Sequence, residues 1–300
     1  MTDEIATAAT TAAKRPLWRK VWEFPLTAMV VATVLLLGVL ALCGVSLSLL
    51  PETLDPNIDV TIRTVVTVAA AIAIYKLVIR RLGRRKQDDL PVAGSLTDTA
   101  LGFGVGAAIF TTVVGIAAVA GAYRVTGQGG FSDFVQIVML TGVSAGLIEE
   151  LLLRGIIFRW LEEFAGSWVA LAISSLLFGF GHAANDNATL FSSIAIAIEA
   201  GILLGGAYML TRSLWLAVGI HAGWNVTQGF IWGVPVSGYS FQGLVDARLS
   251  GPDWLSGGAF GLEASVIALV VATTAGVWMV WQARKEGKWI TPMWSKQAQA

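Results

Sequence analysis

Long apolar runs separated by short polar stretches make up most of the sequence. A helix needs about 20 apolar residues to cross the hydrocarbon of a bilayer, and eight runs approach that length. The pattern therefore predicts an all-α polytopic membrane protein of about eight transmembrane helices. The predicted spans are Pro25 to Leu50, Ile62 to Ile79, Thr99 to Tyr123, Phe134 to Trp160, Ser167 to His182, Leu190 to Leu210, Leu214 to Trp232 and Leu262 to Trp281.

The spans follow one another without an internal repeat, which favours a single transmembrane domain over residues 25–283. Residues 1–24 and 284–300 are then an N-terminal and a C-terminal tail. The first run is too long for the core of a cleaved signal peptide and is interpreted as an anchor. The longest connection, residues 233–261, is rich in Gly and Ser and is interpreted as a tether rather than a lid, because it carries no evident chemistry.

Lys and Arg are distributed unevenly between the predicted loops. With the N-terminus inside, fifteen of the 20 lie in cytoplasmic stretches, and two, Arg124 and Arg248, lie outside. Orientation follows this bias rather than the net charge. Both tails are therefore expected in the cytoplasm, which also requires an even number of spans.

Composition agrees with a membrane protein and disfavours other classes. The chain is 55% hydrophobic and 13% charged, with a mean hydropathy of +0.71, which leaves too few polar side chains to coat a water-soluble globule. Because 20 basic residues balance 20 acidic ones and no basic stripe stands apart, no nucleic-acid partner is expected. The single cysteine, Cys43, excludes an intramolecular disulfide framework and a cysteine metal cluster.

A few ionisable side chains interrupt the apolar runs, and each is a functional hypothesis because a charge at bilayer depth is costly. Glu149 lies in the fourth run, His182 ends the fifth, and His221 and Asn225 lie in the seventh. At 1.5 Å per residue, Glu149 and His182 both lie roughly 25 Å above the turn that joins their helices. All four side chains are expected within a turn or two of the bilayer middle.

Helical phase separates the two neighbouring glutamates of the fourth run. Glu150 and Arg154 are spaced i,i+4 with the acid first, which predicts an ion pair between them. Glu149 points about 100° away and is expected to remain free. His221 and Asn225 share a helix face by the same i,i+4 spacing.

These residue types suit the hydrolysis of a peptide bond. A carboxylate and an imidazole that flank a water molecule can remove its proton, and a second imidazole with an amide N–H can hold the resulting oxyanion. Two histidines and a carboxylate are also a ligand set of hydrolytic zinc sites. The sequence leaves open whether the site uses no cofactor or a divalent metal such as zinc, held among Glu149, His182 and His221.

Three motifs occur in order on these spans: Glu149-Glu150-x-x-x-Arg154, Phe178-x-x-x-His182 and His221-x-x-x-Asn225. Together they resemble the three motifs of the CAAX prenyl endopeptidase and bacteriocin-processing (CPBP, Abi-like) family of intramembrane proteases. The resemblance covers about residues 134–232, a third of the chain, which would be the catalytic core.

The resemblance implies an all-helical membrane endopeptidase that cleaves a membrane-associated or lipidated protein or peptide. It implies that Glu149 is the general base with His182 as its partner on the water, and that His221 and Asn225 stabilise the oxyanion. Glu150, Arg154 and Phe178 would support these residues from behind. With the charge bias, it also implies the inner membrane of a bacterial cell.

Other functions are compatible with some of these features. A catalytically silent membrane scaffold or immunity factor of the same family would keep the same fold. A proton-coupled transporter is less well supported, because no inverted repeat is visible, and a haem carrier would need His182 and His221 as axial ligands. Trp224 is interpreted as packing, and Glu199, an intramembrane acid without an evident partner, is given no direct role.

Overall fold

The apolar runs form helices in the structure, a computed structural model that describes residues 16–84 and 86–297. Most of the predicted N-terminal tail therefore lies outside the described residues. The first part of the chain contains α1 (Leu17–Trp22), α2 (Pro25–Leu47), α3 (Pro56–Leu77), a 3₁₀ turn (Ile79–Arg81) and α4 (Ser95–Val119).

The fourth and fifth runs form one helical stretch, Phe134–Ala184, that is interrupted at Gly166. Gly166 has φ 82° and ψ 169°, a conformation that glycine adopts readily because it has no Cβ. We call residues 134–165 α5 and residues 167–181 α6. Within α5, the π-helical segments Ile137–Ala145 and Leu151–Phe158 flank the α-helical segment Gly146–Glu150.

The remaining elements follow a 3₁₀ turn at His182–Ala184 that ends α6. They are α7 (Leu190–Thr211), α8 (Trp215–Val226) with a π-helical extension (Thr227–Ile231), α9 (Asp253–Ser256), a 3₁₀ turn (Leu262–Ala264), α10 (Val266–Lys285) and α11 (Met293–Gln297).

The predicted all-α polytopic membrane fold is confirmed. In the described part of the chain, six helical stretches are long and apolar enough to cross a membrane. One of them is the pair α5 and α6, and α8 with its extension is a shorter helix that these six do not include. Eight helices thus correspond to the eight predicted spans. Large apolar side chains on the outer faces, such as Val30 and Val34 of α2, are exposed as expected for contact with lipid.

Two predicted span ends are wrong. Tyr123 does not belong to α4 but begins strand β1 (Tyr123–Gln128), which pairs antiparallel with β2 (Val245–Leu249). Leu262 lies in the 3₁₀ turn that precedes α10. At Tyr123 the backbone pairs with a strand of the connection 233–261, and at Leu262 the chain turns as it leaves that connection. Hydropathy does not reveal either feature.

Helices α4 and α8 pack with their backbones in contact. A Cβ on Gly102 or Gly106 of α4 would lie 2.4 Å from the Leu216 carbonyl oxygen or 2.1 Å from that of Ile220. A Cβ on Gly223 of α8 would in turn lie 2.1 Å from the carbonyl oxygen of Phe103. Small residues permit this approach, which is typical of helix contacts in membranes.

A buried polar cluster joins the helix ends on the side where the basic residues gather. Asp89 is fully buried and accepts hydrogen bonds from the Tyr75 hydroxyl (2.6 Å), the Gln87 amide (2.7 Å), the Tyr208 hydroxyl (2.8 Å) and Arg159 Nη1 (3.0 Å). Burial raises the pKa of Asp89 above its usual value, although these partners favour the carboxylate. We call these five residues the Asp89 cluster.

Candidate active site

Three helices bring the motif residues to one place. Glu149 lies in the short α-helical segment between the two π-helical segments of α5, His182 is the first residue of the turn that ends α6, and His221 and Asn225 lie one turn apart on α8. Departures from regular α-helix, such as π-helical segments, are frequent at functional sites.

Glu149 and the two histidines converge as predicted. Glu149 Oε2 lies 4.0 Å from Nε2 of His182 and 4.0 Å from Nε2 of His221. These distances are too long for direct hydrogen bonds and leave space for a bridging water molecule. The side chain of Glu149 is 36% exposed, against 15% for His182 and 8% for His221. Glu149 Oε2 has no hydrogen-bond partner among the described residues.

The Nδ1 atoms of both histidines are engaged, which orients the rings. His182 Nδ1 lies 2.8 Å from the Phe178 carbonyl oxygen, which can only accept a hydrogen bond. His221 Nδ1 lies 3.1 Å from Glu150 Oε1. Each ring therefore turns its Nε2 toward Glu149. Hydrogen bonds of this kind select the tautomer of a functional histidine.

The predicted ion pair between Glu150 and Arg154 is confirmed. Arg154 Nη1 lies 2.9 Å from Glu150 Oε1, and both side chains are completely buried. Arg154 Nη2 donates to the Ala200 carbonyl (3.1 Å), and the guanidinium lies 4.7 Å from the ring centroid of Phe178. The pair thus holds α5 against α7 and supports His221 from behind through Glu150.

Asn225 faces the same space as the histidines. Its Nδ2 donates to the Thr141 carbonyl on α5 at 2.9 Å. An amide nitrogen carries two hydrogens, so one N–H remains for a ligand. Trp224, its neighbour, donates to Gln228 Oε1 (2.8 Å) and packs edge-on against Phe110, which agrees with the predicted packing role.

An open cavity of about 860 Å³, including its mouth, reaches this polar centre. We call it the outer cavity. Its walls include Glu149, His182, His221 and Asn225, together with Ser237, Tyr239 and Phe241 from the connection 233–261. The interpretation of this connection as a tether is therefore wrong. Its backbone pairs with itself and with β1, and so it folds over the site.

A second cavity, of about 450 Å³ including its opening, adjoins the first, and we call it the inner chamber. Both cavities share His182, His221, Asn225 and Ser237 as wall residues. Glu199 of α7 and Glu263, in the turn before α10, line only the inner chamber. Neither Glu263 nor Ser237 is among the residues that the sequence motifs predict for the site. The available sequence signal for Glu263 was its position as an acidic residue at the start of the predicted span Leu262 to Trp281.

The donor atoms around Glu149 do not form a recognisable metal site. Across the described residues, no group of three or more His, Cys, Asp and Glu side chains is arranged to hold a metal ion. A divalent metal held among Glu149, His182 and His221, which the sequence left open, stays a prediction.

Comparison with known proteins identifies the region that carries the site. Residues 131–227 match the family model described as "Rce1-like: Type II CAAX prenyl endopeptidase Rce1-like". The match spans α5, α6, α7 and α8, including all three motifs. No curated protein and no solved structure matches the chain.

Proposed function

Because residues 131–227 belong to the Rce1-like family of type II CAAX prenyl endopeptidases, we propose that the protein hydrolyses a peptide bond in a membrane-associated or lipidated substrate at the centre around Glu149. At the family level it is a CAAX-type intramembrane protease. The observation that supports the site is the common distance of 4.0 Å from Glu149 Oε2 to Nε2 of His182 and of His221.

Glu149 acts as the general base in this proposal. A water molecule between Glu149 Oε2 and His182 Nε2 donates one hydrogen to each, so that its oxygen lone pair points into the outer cavity. His182 accepts because its Nδ1–H is donated to the Phe178 carbonyl. As the water attacks the peptide carbonyl, its proton passes to Glu149, which then delivers it to the departing amine.

His221 and Asn225 stabilise the oxyanion. In its imidazolium form, His221 donates Nδ1–H to Glu150 and directs Nε2–H into the cavity, while Asn225 supplies the N–H that Thr141 does not use. Donors fixed in advance at the place where charge develops are among the largest contributions to catalysis. The proposed steps use side chains of this chain alone and pass through no metal ion.

The substrate reaches this centre from the membrane. A second surface depression, lined by Glu149, His182 and the apolar side chains Leu152, Ile157 and Leu177, lies between α5 and α6. Leu177 is exposed and faces the lipid in a membrane-spanning α6. A segment held near the bilayer by a lipid group or by its own apolar residues can therefore approach Glu149 without crossing water.

The test compares membrane proteomes of cells that carry the wild-type protein or the Glu149→Gln variant. We expect one uncleaved membrane-associated protein to accumulate with the variant. The matched control is Glu52→Gln, an exposed acid far from the site along the chain. If the two proteomes are identical, and a purified candidate substrate stays intact with wild-type protein, the chain is a silent scaffold.

We also propose that both termini lie in the cytoplasm of a bacterial-type cell. The basic residues Arg159, Arg212 and Lys288 share one end of the molecule, where Arg212 pairs with Glu162 (3.2 Å) and donates to the Lys288 carbonyl. Their clustering at one end supports the orientation that the charge bias predicts. Reporter fusions to the C-terminus test it, and a periplasmic signal would contradict it.

A further inference from the structure

Asn185 lies at the junction of the two openings that reach Glu149. It comes directly after the 3₁₀ turn His182–Ala184 that ends α6. One opening is the outer cavity, and the other is the depression between α5 and α6, which we call the membrane-side depression. Among the described residues, three line both openings, namely Glu149, His182 and Asn185. Asn185 belongs to none of the three motifs and takes no part in the proposed steps.

The side-chain amide of Asn185 is only half occupied. Its Nδ2 donates to the Ser237 carbonyl at 3.1 Å, and this contact identifies the nitrogen end of the amide because a carbonyl oxygen only accepts. Its Oδ1 accepts no hydrogen bond from residues 16–84 and 86–297. Since an Asn side chain carries one acceptor oxygen and two N–H donors, the oxygen and one N–H remain for a ligand.

Fastening of the connection 233–261 does not by itself explain the position of Asn185. Asn187, two residues further on, also donates to the connection, from its Nδ2 to the Gly238 carbonyl at 3.4 Å. Asn187 lines neither the outer cavity nor the membrane-side depression. An amide in this turn can therefore hold the connection without facing the site, whereas Asn185 does both.

The membrane-side depression offers few polar groups to a substrate backbone. Besides Glu149, His182 and Asn185, its walls are Gly181 and apolar side chains of α5 and α6, namely Leu152, Leu153, Ile157, Leu177 and Phe178. In the proposed reaction, Glu149 and His182 are engaged with the attacking water. Asn185 is then the one described side chain in these walls with a hydrogen-bonding group left for the substrate.

A peptide that enters through this depression needs partners for its backbone. Each residue other than proline carries an N–H and a C=O, and these groups are costly when they are buried without a hydrogen bond. In the proposed function the scissile carbonyl contacts His221 and Asn225, which line the outer cavity. A backbone N–H close to this carbonyl lies between the two openings, where Asn185 provides the acceptor.

We propose that Asn185 binds the substrate backbone next to the scissile bond, with Oδ1 accepting a peptide N–H. A side-chain amide can pair with main-chain groups of any sequence. Asn185 therefore fixes which bond meets the water rather than which side chains are accepted. The position beside the scissile bond rests on the proposed function, whereas the contact between Oδ1 and a backbone N–H does not.

Cleavage of backbone esters tests this contact. The probe is a synthetic farnesylated CAAX peptide, with a set of analogues in which one amide other than the scissile amide is replaced by an ester and so loses its N–H. At one position next to the scissile bond, the ester should lower kcat/KM of the wild type about fivefold, the effect of one hydrogen bond. Asn185→Ala should cleave the parent peptide about fivefold less efficiently and should lose nothing further at that ester.

The matched control is Asn187→Gly, which removes a bond to the connection 233–261 and suits the φ of 59° at this residue. This variant should keep the full ester penalty. A purely structural role of Asn185 would lower the cleavage of all peptides alike and leave the penalty at every ester unchanged. Equal penalties in the wild type and Asn185→Ala would therefore overturn the proposal while the proposed function stands.

Binding of the same peptides separates this contact from the proposed function. They are titrated against Glu149→Gln, which lacks the general base, and the Kd is obtained from the increase in melting temperature. The ester should weaken binding to Glu149→Gln about fivefold and leave binding to Glu149→Gln/Asn185→Ala unchanged. If this difference is found but the wild type leaves the parent peptide intact, the contact is supported and the proposed function is contradicted. If the parent peptide is neither bound nor cleaved, both are overturned.

Discussion

Two groups of acidic side chains in this molecule differ in how fully their carboxylate oxygens are hydrogen-bonded. Asp89, near the basic end, accepts hydrogen bonds from four surrounding side chains, one of them an arginine. Glu149, Glu199 and Glu263 each keep an oxygen without a partner among the described residues, and all three line cavities. Glu199 and Glu263 are buried like Asp89, so burial alone does not distinguish the two groups.

The difference shows what each group contributes. A satisfied carboxylate fixes the elements that surround it, and its loss strands the partners. A carboxylate oxygen that faces a cavity without a partner lowers the stability of the unliganded protein. A water molecule or a ligand that hydrogen-bonds to this oxygen compensates the cost of its desolvation. Substitutions in the Asp89 cluster should therefore affect stability, whereas those around the cavities should affect turnover and binding.

The largest effect is expected for His182→Ala. The variant removes one of the two groups that hold the attacking water, so kcat/KM should fall by about 10² to 10⁴. Its melting temperature should change little, because within residues 16–84 and 86–297 His182 makes one hydrogen bond, to the Phe178 carbonyl. Cleavage rates and a melting curve measured on the same preparation check this, and full activity would contradict the mechanism.

Asp89→Asn should destabilise the protein by about 3 kcal/mol, because it breaks the buried ion pair of Asp89 with Arg159 and removes the negative charge that the Tyr75 and Tyr208 hydroxyls contact. Chemical or thermal unfolding in detergent measures this loss. The neighbouring Asp88→Asn is the matched control. Asp88 pairs with Lys76 at 2.8 Å in a half-exposed position, where an ion pair contributes at most about 1 kcal/mol. Equal losses in both variants would contradict the comparison.

Titration of Glu263 should make the free energy of unfolding depend on pH. Burial raises the pKa of this carboxyl to about 7, so the folded chain binds the proton more tightly than the unfolded chain. Its contribution is fully present below the ordinary pKa of 4.5 and is lost as the pH rises to about 7, a change of about 3 kcal/mol. Melting temperatures of Glu263→Gln should fall less across this interval. An identical slope in the variant would contradict the assignment.

The smallest effect is expected from metal removal. Because the proposed water activation uses Glu149 and His182 alone, kcat/KM should stay within about twofold after dialysis against EDTA or 1,10-phenanthroline. Restoration by added zinc after complete loss would contradict the proposed water activation. It would place Glu149, His182 and His221 among metal ligands instead.

The helices and the convergence of the motif residues were predictable from local properties. Apolar length located the spans, i,i+4 spacing gave the pair of Glu150 with Arg154, and helix rise placed Glu149 level with His182. These rules depend on residues close together in the sequence. They give the contacts within one helix, such as Glu150 with Arg154 and His182 with Phe178, whereas the contacts of His221 with Glu150 and of Asn225 with Thr141 join separate helices.

The parts that escaped prediction depend on distant residues. The pairing of β1 with β2 joins residues about 120 apart, and Glu263 meets Glu199 across the inner chamber only after the connection 233–261 has folded back. Hydropathy carries no information about such partners. The π-helical segments Ile137–Ala145 and Leu151–Phe158 around Glu149 likewise carry no local sequence signal.

The glycine contacts between α4 and α8 determine how the outer cavity can open. Carbonyl oxygens of one helix touch Cα atoms of the other, so sliding or tilting between them would drive the two main chains into collision. The two helices must therefore move as one body, and His221 and Asn225 travel with α4. A bulky substrate can therefore enter only when α5, α6 or the connection 233–261 moves. The half of the outer cavity that contains His221 and Asn225 keeps its shape during this movement.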